Sequence, residues 1–129
     1  MITPAQKSAL VKAAGAVRAH AHAPYSKFRV GAAVLDERGR IHVGCNVENA
    51  SYGLTICAER NAVAAAVAAG AKRIRAVAVV TATGASPCGA CRQVIAELGG
   101  PPTAILLARP GGAPRRTTLG ALLPRSFSL

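Results

Sequence analysis

A three-layer α-β-α sandwich with a mixed sheet is the fold class this sequence predicts. Segments of helical and extended character follow one another in the order α-β-β-α-β-α-β, which asks for one sheet between helical layers. Ile74 to Val80 is almost continuously apolar, as in a strand covered on both faces. Asp36-Glu37-Arg38-Gly39 separates two earlier strands with hairpin chemistry, and Gly39 can take the positive φ such a turn needs.

The elements follow in order. Thr3 as N-cap and Pro4 in the first turn open a helix running to about Ala21, with Leu10, Ala13, Ala14 and Val17 on its buried face. Arg29 to Leu35 and Arg40 to Val47 read as strands. Asn46 to Thr55 is a polar connection, and Cys57 to Gly70 an alanine-rich helix. After the Ile74 to Val80 strand, Ser86 as N-cap and Pro87 in the first turn start a helix over Cys88 to Leu98. Gly99-Gly100-Pro101-Pro102 stops it. Thr103 to Ala108 is a strand, Pro110 to Pro114 a loop, and Leu119 to Leu123 a final helical turn.

The 129 residues fit one domain, 1–129, with no internal repeat or boundary. Hydrophobic residues at 51% sustain a packed interior, while aromatics at 3% leave it to aliphatic side chains and alanines. The start of the chain has neither the basic nor the apolar stretch of a signal peptide. The longest apolar run, Ala62 to Ala71, is half a membrane span. A soluble, cytoplasmic protein without membrane partners is expected. The net charge of +11 raises the question of nucleic acid. Its basic residues are spread along the chain, densest from Arg109 to Arg125, and no basic stripe carries stacking aromatics. A specific nucleic-acid partner is therefore not expected.

Four cysteines in such a chain point to metal or catalysis rather than to disulfides. Cys88 and Cys91 are three residues apart on one helix face, at an N-terminus that favours negative charge. Alone the pair is a weak signal, open to redox or packing explanations. Cys57 lies at another helix start, and a third thiolate would leave zinc a fourth position for water, the arrangement of a catalytic site. Cys45, the only possible fourth thiolate, sits in a strand as a small buried side chain. His20, His22 and His42 have no ligand spacing. Glu59, two residues beyond Cys57, can point at the metal's water and move protons. The pattern is a known zinc-deaminase signature in its three-cysteine form.

Cys57-Ala58-Glu59-Arg60 and Pro87-Cys88-Gly89-Ala90-Cys91-Arg92-Gln93-Val94 resemble the two zinc motifs of the cytidine deaminases. Ala23 to Phe28, Asn46 to Gly53 and Leu122 to Phe127 agree with the same family, so the likeness spans nearly the whole chain. The resemblance implies a cytidine deaminase-like fold, one Zn2+ per chain, and hydrolytic deamination of cytidine and deoxycytidine. It assigns zinc to Cys57, Cys88 and Cys91, proton transfer to Glu59, and the ribose hydroxyl to Asn46 and Glu48. It puts Phe28 at the base pocket and counts Ala58 among the substrate-binding residues. A homotetramer is implied, with Tyr52 and Phe127 reaching a neighbouring subunit's site. Small residues at Ala62, Ala65, Ala66 and Ala69 permit close helix packing, although helix preference explains them equally well. Three thiolates on a divalent ion leave excess negative charge. Arg60 is the first candidate to offset it and Arg92 the second.

Overall fold

In the computed structural model, residues 2–129 are described; Met1, the first residue of the expected domain, lies outside them. Helix α1 covers Pro4–Val17. Thr3 and Gln6 close a reciprocal capping box: Gln6 N donates to Thr3 Oγ1 at 3.1 Å and Thr3 N to Gln6 Oε1 at 3.0 Å. The helix ends four residues before the expected Ala21, tightening into a 3-10 turn over Arg18–His20. Tertiary pairing overrides helix preference here. The backbone of His22 donates to Asn46 O and accepts from Glu48 N, which pulls the chain into an extended path.

Strands β1 (Gly31–Asp36) and β2 (Ile41–Cys45) form the predicted hairpin, with Gly39 at φ 81°. Both are shorter than the sequence suggests. Val30 N donates to the side chain of Asn46 instead of extending the ladder, and Val47 forms only isolated bridges. Helix α2 is Ala58–Ala68, strand β3 Ile74–Val80, helix α3 Gly89–Leu98 and strand β4 Ala104–Ala108. Strand β5, Arg115–Thr118, was not expected, and α4 is the single turn Leu119–Leu122.

The sheet order is β2-β1-β3-β4-β5, with β3 and β4 parallel and the other pairs antiparallel, so the expected mixed sheet forms. Alternate residues face opposite layers. Ala33, Leu35, Ala76, Ala78, Ala104 and Leu106 pack with Leu10 and Ala14 of α1. Ala32, Val34, Val77, Val79, Ile105 and Leu107 pack with Ala58, Ala62 and Ala66 of α2 and Ile95 of α3. Most side chains toward α1 are alanines, whereas the α2 side carries the branched ones.

Helix α2 lies very close to β2. A Cβ on Gly44 would collide with Ala62 N and the Ala58 carbonyl. This absence of a side chain brings the start of α2 down to the strand ends. Asn61 Nδ2 then fastens it by donating to the carbonyl of Cys45 at 2.9 Å.

Candidate metal and nucleoside site

Both helices of the second layer begin on a cysteine. Cys57 is the N-cap of α2 and Cys88 the N-cap of α3, each with extended backbone and without a side-chain capping bond. This corrects the reading of Ser86 as N-cap and Pro87 as a first-turn residue. The α3 helix begins after Cys88, whose extended backbone lies outside the first turn. Cys91 sits within that turn and is buried. The sulfurs face one another: Cys57 Sγ to Cys88 Sγ is 3.9 Å and Cys88 Sγ to Cys91 Sγ 3.5 Å.

Tetrahedral zinc with sulfur bonds of about 2.3 Å would hold its sulfurs roughly 3.8 Å apart. All three Sγ atoms lie within 4.8 Å of one another, so the donor set fits a zinc ion. Cys45 does not belong to this cluster. It is half-buried in β2 rather than fully buried as expected. The histidines also stay out of it. His42 Nε2 lies 2.8 Å from Asp36 Oδ2 at the hairpin.

The electrostatics favour a thiolate at Cys57. The Cys57 thiol is pushed down to about 5, chiefly by hydrogen bonding with Cys91 and further by Arg60, against the opposing effect of burial. Cys91 moves upward as the donor of that shared proton. Arg60 Nη2 approaches Cys57 Sγ at 3.6 Å and the Thr55 carbonyl at 3.4 Å, while its buried Nε has no partner. Arg92, the second candidate for charge compensation, is engaged elsewhere. It donates to Pro87 O at 2.8 Å, Leu122 O at 2.7 Å and Ser86 Oγ at 3.1 Å. It braces the segment entering Cys88 against the end of α4. Gln93 Nε2 adds a bond to Phe127 O at 3.1 Å.

Glu59 is in the first turn of α2 and only 5% exposed. Burial holds its carboxyl above the usual range, reinforced by the charge of Cys57. It shares a cavity of about 270 Å³ with Cys57, Cys88, Phe28, Asn46, Glu48 and Ala58. Asn46 Oδ1 accepts from Val30 N at 2.9 Å and Asn46 Nδ2 donates to Phe28 O at 2.8 Å. Tyr52 and Phe127 do not line the cavity; they are 78% and 72% exposed. Ser26, Thr55 and Thr81 do line it, and sequence reasoning assigned them nothing. For Ser26 the available signal was a hydroxyl two residues before Phe28.

Fold and site together define a class: an α/β enzyme with three cysteines for one catalytic zinc and a buried carboxylate beside them. Residues 4–107 match the model of the cytidine and deoxycytidylate deaminase zinc-binding region. Over 113 residues the chain is 50% identical to a cytidine deaminase of Sporosarcina psychrophila, covering 86% of this chain and 83% of that protein. Identity to the Halalkalibacterium halodurans enzyme is 46% over 121 residues, 92% of each. A crystal structure of cytidine deaminase from Burkholderia pseudomallei superimposes with a TM-score of 0.89. Its sequence identity is 49%, and the match covers 98% of this chain and 100% of that one. This chain belongs to the zinc-dependent cytidine and deoxycytidylate deaminase family, whose chemistry is hydrolytic deamination.

Proposed function

We propose that the chain hydrolyses free cytidine and deoxycytidine to uridine and deoxyuridine in pyrimidine salvage. Residues 1–129 are read as one catalytic domain. The observation that carries the reading is a single cavity joining Cys57, Cys88 and buried Glu59 to Asn46, Glu48 and Phe28, with the buried Cys91 sulfur within 4.8 Å of the other two. The first group suits a hydrolytic reaction, the second a sugar and a base.

When bound, zinc supplies an acidified water and a Lewis acid. Glu59 takes a proton from the attacking water, delivers it to N3 of the ring and assists the departing ammonia. Its burial suits this work, since a desolvated carboxylate holds a proton more readily. Asn46 and Glu48 hold the ribose hydroxyl, while Phe28 and Ala58 border the base. Arg60 offsets the charge of the thiolates.

The wide exposure of Tyr52 and Phe127, together with exposed Val47, Leu54, Ile56 and Val67, supports a homotetramer in which neighbours share sites. Of the alanines considered for packing, Ala62 and Ala66 are buried within the chain, and Ala65 and Ala69 face outward. No helix among the described residues is long and apolar enough to cross a membrane. The reading keeps a cytoplasmic protein with no specific nucleic-acid partner. An ultraviolet assay on cytidine, with metal analysis of the same sample, tests it. Turnover with about one zinc per chain is expected. Metal-replete protein that leaves cytidine unchanged would overturn it.

A further inference from the structure

Residues 23–28 form no helix or strand, and Ser26 and Phe28 of this segment line the cavity. Lys27 within them stands at φ 61°, a left-handed conformation that a lysine keeps where its surroundings fix it. Lys27 N donates to Ala23 O at 3.0 Å, and the two residues before Lys27 are held by Glu48. Glu48 Oε1 accepts the backbone N–H groups of Tyr25 at 3.0 Å and Ser26 at 3.1 Å, and its Oε2 accepts the Ser26 hydroxyl. The same hydroxyl oxygen accepts the Phe28 N–H at 2.9 Å. Ser26 thus ties the cavity's outer carboxylate to the backbone of its aromatic wall.

A carboxylate offers about four acceptor positions. Oε1 uses two on the loop backbone and Oε2 gives one to Ser26, so one position on Oε2 stays open for a donor from the substrate. The two backbone N–H groups anchor Oε1 alone. Ser26 is what fixes the rotation that aims Oε2. It also accounts for the largest downward influence on the Glu48 carboxyl, so the group presented to the cavity is a full acceptor.

We propose that Ser26 is a positioning residue for sugar recognition, aiming Glu48 Oε2 at a nucleoside hydroxyl while holding Phe28 in register. The proposal rests on the nucleoside reading of the site. Substrate discrimination separates it from a merely structural role. Ser26→Ala should raise KM for cytidine about tenfold and leave kcat within about twofold, because a ground-state binding contact is loosened. The loss should be selective. The preference in kcat/KM for cytidine over 2′,3′-dideoxycytidine should shrink by about the same factor, since the dideoxy sugar keeps its 5′-hydroxyl but has no 2′- or 3′-hydroxyl for Glu48 to accept. Ser26→Thr, which keeps the hydroxyl, should restore the preference.

Zinc content and thermal melting verify each variant. If the alanine variant does not fold, Ser26→Cys carries the same comparison with a weaker donor of similar size. Equal losses on the two substrates, a fall in kcat alone, or a folded threonine variant without the preference would each overturn the role of Ser26. Absence of cytidine turnover by the wild-type holoenzyme would instead overturn the nucleoside reading, and the Ser26 assignment with it.

Discussion

Asp36 and Glu59 are both buried carboxylates, 0% and 5% exposed, yet their surroundings push them in opposite directions. Burial alone would raise the Asp36 carboxyl. Hydrogen bonds from His42, from the backbones of Arg40 and Arg38, and from the Arg40 guanidinium outweigh it and hold the group well below the usual carboxylate range. At Glu59 burial prevails and the carboxyl is held high, beside sulfurs that share a proton and an Arg60 Nε that finds no partner. A buried charge whose needs the chain meets is architecture. One left short, next to other groups left short, is a site prepared for something the chain does not contain.

The comparison breaks most completely at the sulfurs. Cys57→Ala, Cys88→Ala or Cys91→Ala should each abolish stoichiometric zinc, and turnover with it, by metal analysis and assay on the same preparation. Cys45→Ala should keep about one zinc per chain, as a residue outside a three-ligand set should. Equal zinc loss from Cys45→Ala would show that the ligand set has been misread. Glu59→Gln comes next. It should bind zinc and melt no lower than wild type, because the lost charge was disfavoured by burial. Its kcat should fall by about 10²–10⁴-fold, the usual worth of a placed acid–base group. A zinc-replete variant with near-normal rates would remove Glu59 from the mechanism.

Arg60→Ala is expected to be milder. Its guanidinium lies 3.6 Å from the Cys57 sulfur, and supporting groups around metal ligands are generally worth about 10–100-fold in affinity or activity. Competition with a chromophoric chelator measures the affinity arm directly. Wild-type zinc affinity and turnover in the variant would leave compensation to the helix N-termini, since Arg92 is occupied by the Pro87 and Leu122 carbonyls.

The sequence makes the inner part of this site plain and the outer part obscure, for a physical reason. Cysteine at two helix starts and a glutamate two residues on are scarce residues in a fixed local pattern, and helix geometry carries that pattern into space. The strands that alternate between two alanine-rich helical layers are legible for the same reason. Strand β5 was missed because Arg115-Arg116-Thr117-Thr118 has no apolar alternation. It is an exposed edge strand, held by pairing with β4, and its charges discourage further pairing. The shortened α1 and β1 depend on His22 meeting Val47 and on the Asn46 side chain meeting Val30, contacts distant in sequence. For Ser26 the sequence shows only a hydroxyl two residues before Phe28; its role depends on Glu48, 22 residues away.

The smallest effect on turnover is expected from Asp36→Asn, and its pH dependence sharpens the contrast. Asparagine keeps the shape and can still accept from the Arg38 and Arg40 backbones, but it presents no charge to Arg40 and His42. Hydrogen bonds to a charged group at a partly exposed hairpin suggest a loss of about 2 kcal/mol in unfolding free energy at neutral pH. The sign follows from linkage. A carboxyl lower in the folded than in the unfolded chain stabilises the fold above the unfolded value, near pH 4, and this contribution disappears as pH falls toward the folded value. Denaturant titrations should therefore show wild type and variant separated by a constant gap above about pH 5, closing progressively below about pH 4. Zinc content and cytidine turnover per folded molecule should be unchanged, because Asp36 lines no part of the cavity. A gap that stays constant into acid would mean that the carboxylate's hydrogen bonds contribute through shape rather than charge, and the contrast with Glu59 would fail on the Asp36 side.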